Sequence, residues 1–348
     1  MAHPETKTIA LTLGDINGIG PEVILKALAQ WSPPPQVRVA LVGPASALRF
    51  WQAKLQLEQS IPLISSVADW EAPAAVALVQ ADFGEPAIAI GSWSKASGAA
   101  AAQALLYAIA WANKGMVQAI VTGPIAKVAL AAAGYNYPGQ TEFIAERLGA
   151  GNFAMVLMAG RFRVALVTTH LPLREIAPAV TAARILTKLR VLQQELQQRF
   201  GIATPKIAVT GLNPHAGESG LLGDEEEMQI KPAIAQAQQE GIAASGPYPA
   251  DALFGRYASQ LQAAESGGAL SFDAFLAMYH DQGLIPLKMQ GFGRAVNYTA
   301  GLPVIRTSPD HGTAFDIAGQ GIASPTSMIE ALQLAVDIIT ARGGSRTV

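Results

Sequence analysis

Residues 8–31 read TIALTLGDINGIGPEVILKALAQW. The first six, TIALTL, form a short apolar run of the kind that becomes a buried strand. GDINGIGPE supplies a glycine-rich turn, and VILKALAQW carries helical apolar spacing. Strand, tight turn and helix in succession form the building block of an α/β fold.

The same alternation continues outward. VRVALVG (37–43) reads as a second strand, with Pro44-Ala45 leading into another helix. A long alanine-rich helix over about 96–113 precedes VQAIVTGP, a strand and its turn. Pro124 and the following KVALAAAG predict a helix stopped at Gly134, and TEFIAERLG a short helix after Pro138-Gly139. After Thr181, the residues Ile185, Leu189, Leu192, Leu196 and Phe200 make one buried helical stripe. The acidic run Asp224 to Glu227 precedes a helical pattern, where carboxylates suit the positive end of the helix dipole. The expectation is a largely parallel α/β chain. AAESGGALS (263–271) reads as a loop tip, and His3 and the final ARGGSRTV as tails.

Composition sets limits. The 348 residues fit one elaborate domain or two intimately joined ones. Hydrophobic residues at 50% against 14% charged imply sheets covered on both faces. A net charge of −2 gives no reason to expect nucleic acid or an anionic membrane as partner. With no cysteine, disulfides, thiolate catalysis and cysteine–zinc sites are excluded, so a metal site must use histidine nitrogen with oxygen donors. MAHPETKTIALTL lacks the features of a signal peptide, and SGAAAAQALLYAIAWA is too short and alanine-rich to span a bilayer. The protein is expected to be cytoplasmic.

Gly14, Gly18 and Gly20 do not complete a G-x-G-x-x-G fingerprint, because Val23 holds the third position, and no P-loop lysine follows. By itself the stretch is a tight turn. The histidines say more. His170 in RVALVTTHLPLR, His215 in KIAVTGLNPHAGESG and His280 in FLAMYHDQG each close an apolar run. His311 in RTSPDHGTAFDIAG does so as well. Ligands collect at the carboxyl ends of strands in open α/β sheets, and three imidazoles with an open fourth position form a known catalytic metal arrangement. Single buried histidines are more often plain hydrogen-bonded core residues, so spacing alone leaves a metal site and a structural role both open. Lys288, Asn297 and Arg306 are candidates for holding a carboxylate or phosphate, or are ordinary structural residues.

At GDINGIGPE, TGPIAK, PGQTEFIAER, TTHLPLR, GLNPHAGESG, PADALF, AMYHDQGLIPLK and GFGRAVNYTAGLPVIRTSPDHGTA the chain resembles the 4-hydroxythreonine-4-phosphate dehydrogenase family of vitamin B6 synthesis. HGTAFDIAGQGIASP is similar to the cofactor loop of isocitrate and isopropylmalate dehydrogenases, which bind NAD(P) without a Rossmann fingerprint. The resemblance implies two α/β/α domains with a cleft between them. The first is expected over 1–125 plus 300–348, with a cofactor loop at 310–320, and the second over 126–299, with the metal ligands and a dimer interface.

Carried over by motif, His170, His215 and His280 become ligands of a divalent metal (zinc, cobalt, magnesium or manganese), the last from the partner subunit of a homodimer. Gln140, Thr141, Lys288, Asn297 and Arg306 would bind substrate, Asp251 and Lys288 are catalytic candidates, and His311, Gly312, Thr313 and Ala314 would bind NAD or NADP. The implied reaction oxidises 4-phosphooxy-L-threonine to 2-amino-3-oxo-4-phosphooxybutanoate, which decarboxylates to 3-amino-2-oxopropyl phosphate. One departure stands out. Many members read G-H-T-E where this chain has Gly139-Gln140-Thr141-Glu142, and an amide hydrogen-bonds without titrating. The alternatives are a paralogue acting on 4-phospho-D-threonate or 4-phospho-D-erythronate, a three-histidine metal hydrolase, and a silent metal-binding protein.

Overall fold

A computed structural model describes residues 6–68, 70, 74–264 and 268–341. His3, the tail beyond Ala341 and the centre of the 263–271 stretch lie outside the described residues. The described chain packs as two compact units, one of residues 6–151 and 302–340, the other of residues 152–301 with Ala341.

The first unit begins with β1 (Lys7–Thr12), α1 (Gly20–Gln30), β2 (Val37–Val42), α2 (Ala45–Leu55), β3 (Leu63–Ile64) and β4 (Val76–Val79). It continues through α3 (Lys95–Asn113), β5 (Ala119–Thr122), α4 (Lys127–Ala132) and α5 (Gln140–Arg147). The opening stretch therefore folds as read, strand then turn then helix. α3 starts with a reciprocal cap, in which Ser94 Oγ accepts the Ser97 N–H at 3.0 Å and Ser97 Oγ accepts the Ser94 N–H at 3.1 Å. No helix among the described residues is long and apolar enough to cross a membrane.

The second unit holds β6 (Ala154–Ala159), β7 (Phe162–Leu166), α6 (Ile176–Ala179), α7 (Ala182–Gln198), β8 (Lys206–Thr210), α8 (Lys231–Gln239) and β9 (Ala243–Tyr248). It closes with α9 (Ala250–Ala264), β10 (Ala274–Ala277), α10 (His280–Gly291) and β11 (Val296–Ala300). The chain then re-enters the first unit as β12 (Ile305–Pro309) and α11 (Thr326–Ala341). Thr181 caps α7 through its Oγ1, and Ile185, Leu189, Leu192 and Leu196 are buried as the stripe predicts. Phe200 falls just past the helix and packs edge-on against Tyr298 instead.

Strands of the first unit run β3-β4-β2-β1-β5-β12, all parallel. From β1 the chain first builds to one side and then crosses to the other, so a topological switch lies between β1 and β5, where such sheets open a crevice. The second unit runs β11-β6-β7-β10-β8-β9. Here the largely parallel expectation needs amending, because β6 pairs antiparallel with both β7 and β11. A two-residue turn joins β6 to β7, with Gly160 at φ 56°, a geometry that glycine adopts cheaply. β10 is the last of the parallel set to be made, yet it inserts between β7 and β8. Its central Phe275 is fully buried beneath Phe162, Tyr257 and Phe254, a burial worth about 2–3 kcal/mol for that one side chain.

Candidate active site

The insertion of β10 decides where the three histidines go. His170 lies shortly beyond β7, His215 beyond β8, and His280 beyond β10 as the first residue of α10. Three adjacent parallel strands thus deliver all three at their carboxyl ends. The rings of His170 and His280 lie 5.8 Å apart, centroid to centroid. Two imidazoles sharing one tetrahedral ion stand roughly 5 Å apart, given metal–nitrogen distances near 2 Å. Among the described residues, no third His, Asp or Glu joins them in a metal-sized group. His280 Nδ1 lies 2.7 Å from Asp281 Oδ1, a contact that orients the ring.

Buried polar groups hold the strand exits together. Gln282 Oε1 accepts the Met278 N–H at 2.7 Å and the Thr210 hydroxyl at 2.7 Å, while its Nε2 donates to the Gly211 carbonyl at 2.6 Å. One amide therefore ties the His280 turn to the exit of β8. Thr168 Oγ1 donates to the Met278 carbonyl at 2.7 Å, which ties the same turn to the exit of β7.

The His215 loop is unusual. His215, Ala216, Gly217, Glu218 and Ser219 all have positive φ, at 53°, 52°, 77°, 42° and 58°. Each non-glycine residue in that region costs roughly 1–2 kcal/mol. The acidic run beside it does start a helix, with Glu226 and Glu227 both in the first turn. Glu227 pairs with Lys231, whereas Glu226 is only 1% exposed and its carboxylate also accepts hydrogen bonds from the His215 loop.

His280, Leu284 and Lys288 follow one another down one face of α10 and line an open groove of about 600 Å³ with Ile285, Met289 and Phe292. The last three are 58%, 83% and 87% exposed, an apolar stripe beside a candidate ligand. Asp251 is exposed in the first turn of α9. Asn297 lies on β11, and its Oδ1 is buried with no hydrogen-bond partner among the described residues.

In the first unit, Arg306 is 2% exposed on β12. Its Nη1 donates to Thr141 Oγ1 at 3.3 Å and its Nη2 to Thr122 Oγ1 at 2.9 Å. Burial lowers its pKa from 12.5 to about 10, against the pull of Glu142. A cation kept that deep among neutral hydroxyls is suited to a phosphate or carboxylate. Gln140, at the start of α5, donates from Nε2 to the Gly123 carbonyl at 3.0 Å, and its buried Oε1 has no partner among the described residues. Thr122 escaped the sequence reading, although TGPIAK contains it.

The loop from His311 to Ala314 leaves β12 and rests on the turn after β1. Ile19 N–H donates to the Thr313 carbonyl at 2.9 Å, and a Cβ added at Gly18 would lie 2.7 Å from that same oxygen. The opening glycine is thus required for close approach to the candidate cofactor loop, a role beyond the tight turn expected. Asp15 and Asn17 fix this turn from below. Asp15 accepts the Asn17 N–H at 3.0 Å and the Ser97 hydroxyl at 3.1 Å, and burial raises its pKa above 3.8. Asn17 is fully buried, donating to the Ser92 carbonyl and accepting from the Ala89 N–H, both at 2.9 Å.

Comparison with known proteins places this geometry in context. A family model described as pyridoxal phosphate biosynthetic protein PdxA matches residues 36–335. A 4-hydroxythreonine-4-phosphate dehydrogenase from Synechocystis sp. is 44% identical over 345 residues, covering 96% of each chain. A D-threonate 4-phosphate dehydrogenase from Salmonella typhimurium is 42% identical, covering 96% of this chain and 99% of its own. The crystal structure of a 4-hydroxythreonine-4-phosphate dehydrogenase from Klebsiella pneumoniae superposes with a TM-score of 0.83 at 40% identity, covering 97% of this chain and 99% of that one.

Proposed function

Because the chain belongs to the PdxA family of pyridoxal phosphate biosynthetic proteins, we propose that it oxidises 4-phosphooxy-L-threonine with NAD or NADP and a divalent metal. The observation that carries this reading is that His170 and His215 follow the carboxyl ends of β7 and β8, while His280, which the partner copy would contribute, opens α10 beside an exposed apolar stripe. Imidazole nitrogens suit zinc or cobalt and tolerate other divalent ions. When bound, such an ion supplies Lewis acidity toward the secondary hydroxyl of the substrate and toward the keto acid that follows.

The residues of this chain bind and orient. Arg306, with Thr141 and Thr122 beside its guanidinium, takes the phosphate. Gln140 and Asn297 offer buried amide groups to the remaining polar atoms of the substrate. Lys288, in the groove with His280, stabilises negative charge, and Lys288 and Asp251 are the candidates for receiving the hydroxyl proton. His311 to Ala314 would hold the nicotinamide cofactor, which when bound would supply the hydride acceptor. The overall reaction would balance with a hydride to the nicotinamide, the hydroxyl proton to the base, and carbon dioxide lost from the resulting 3-keto acid, whose former C2 then takes up one proton. The product is 3-amino-2-oxopropyl phosphate.

The active form is proposed to be a homodimer. Ile285, Met289 and Phe292 expose an apolar stripe next to His280, as expected of a face that another chain covers. The α10 histidine of one copy then completes the set of the other.

The relative named for D-threonate 4-phosphate favours a second reading, in which the substrate is a phosphorylated hydroxy acid without the amino group. One assay separates them. The purified chain is given 4-phosphooxy-L-threonine, 4-phospho-D-threonate or 4-phospho-D-erythronate with NAD⁺ or NADP⁺, and the absorbance of the reduced nicotinamide is followed. Turnover of the threonine compound, abolished by chelation and restored by zinc, cobalt, magnesium or manganese, is the expected result. Turnover confined to the other two acids moves the chain to the second reading. Full activity after complete chelation removes the metal from either.

A further inference from the structure

We infer that Glu226 is a positioning residue, whose buried carboxylate holds the left-handed loop that presents His215. The inference rests on the metal role proposed for His215. Glu226 Oε1 accepts the N–H groups of Leu212 at 2.7 Å and Asn213 at 2.8 Å, and its Oε2 accepts from Asn213 Nδ2 at 2.9 Å. Glu225 shares the Asn213 amide at 2.7 Å. All of these donors lie immediately before His215.

Beyond them the chain stays in the left-handed region from His215 to Ser219. Such a run opposes the chirality of L-residues at every step but Gly217. It persists only where its surroundings over-determine it. The loop is wrapped around the carboxylate: a Cβ added at Gly217 would lie 2.5 Å from Glu226 Oε2, and one at Gly211 would lie 3.1 Å from Oε1. Holding is reciprocal. A carboxylate at 1% exposure survives only if it is multiply hydrogen-bonded, and the amides of the loop supply those bonds.

Replacing Glu226 by glutamine preserves shape and breaks this arrangement in either orientation of the amide. One orientation sets an NH₂ group against the Asn213 side-chain amide. The other sets it against the two backbone N–H groups. The loop then has less to hold it left-handed, and His215 is no longer fixed in direction.

The test uses the full-length protein stripped of metal and titrated with Co²⁺ against a chromophoric chelator, with the visible Co²⁺ spectrum recorded. Glu226→Gln is expected to weaken Co²⁺ binding by about 10- to 100-fold, the usual effect of removing an outer partner of a ligand, and to alter the spectrum while circular dichroism remains native. Adding Ala216→Gly, which relieves one left-handed residue, is expected to recover part of the loss, as a general loosening of the fold would not. Wild-type affinity and spectrum in Glu226→Gln, with binding lost in His215→Ala, overturn the inference alone. Wild-type binding by His215→Ala overturns the underlying reading instead. If Glu226→Gln does not fold, Gly217→Ala asks the same question, since its new methyl group pushes the loop off the carboxylate. Unchanged Co²⁺ binding by that variant overturns the inference.

Discussion

Arg306→Met tests whether this buried arginine is kept for a ligand at the expense of the fold. The arginine is 2% exposed, and its hydrogen bonds to Thr122 and Thr141 reach neutral hydroxyls. The drop in its pKa from 12.5 to about 10 corresponds to roughly 3 kcal/mol against the charged form. The sign follows from proton counts. Between pH 10 and 12.5 the unfolded chain binds more protons at this site, so stability rises with pH across that interval. Below it, and so at neutral pH, the penalty is present in full. Methionine removes the charge and fills similar length. Each hydrogen bond lost, those to Thr122 and Thr141 among them, gives back about 1 kcal/mol, so the ligand-free variant should melt within roughly 2–4 °C of the wild type. Differential scanning calorimetry at neutral pH reads it directly. The phosphorylated substrate should then raise the melting point of the wild type, by the equivalent of about 2.7 kcal/mol at a hundredfold excess over Kd, and leave the variant unmoved. A variant that melts several degrees below wild type, or one still stabilised by the substrate, refutes the reasoning.

Three further outcomes are expected. Gly18→Ala drives a methyl group into the Thr313 carbonyl, 2.7 Å from the new Cβ, and should weaken NAD(P)H binding by about tenfold, as a distortion worth roughly 1–2 kcal/mol does; fluorescence titration showing unchanged affinity would separate this loop from the cofactor. Gln282→Leu leaves the Met278 N–H and the Gly211 carbonyl without this partner and the Thr210 hydroxyl with only the Leu276 carbonyl, and should cost about 2–4 kcal/mol in urea unfolding; an unshifted midpoint counts against the tie between the His280 turn and β8. Gln140→His keeps a donor for the Gly123 carbonyl but adds a group titrating near pH 6.5, so the rate–pH profile should gain an inflection absent from the wild type; identical profiles would mean that this position carries no proton in either form.

Much of the fold was legible because its strands are buried on both faces. Runs such as TIALTL and VRVALVG cannot be amphipathic surface, and the glycine or proline after each marks its end. The histidines were legible for the same reason, since each follows such a run. The β6–β7 hairpin was not, although Gly160-Arg161 between two apolar runs carries the turn signal; the expectation of parallel strands overrode it. The placement of β10 between β7 and β8 could not be read either. Strand order depends on contacts far apart in sequence, whereas periodicity reports only which face of an element is buried.

Glu226 shows a second limit. Among Asp224 to Glu227 the local explanation, a charge at a helix start, fits every member equally well. Burial separates them: Glu227 pairs with Lys231 at the surface, while Glu226 is enclosed by a loop drawn from residues before it. Asp15, Asn17 and Gln282 lie within GDINGIGPE and AMYHDQGLIPLK, where nothing local singles them out. The His215 loop and the turn on which the His311 loop rests are each fastened from beneath by a buried acid or amide whose bonds go to backbone. That division has a physical cause. A ligand-binding side chain must keep its polar atoms available, so it cannot also satisfy the loop that carries it. The amides of the loop need other partners, and where water is excluded only a buried carboxylate, amide or hydroxyl can supply them. Residue types that a sequence reading assigns to caps and turns are therefore the ones on which the geometry of the candidate site depends.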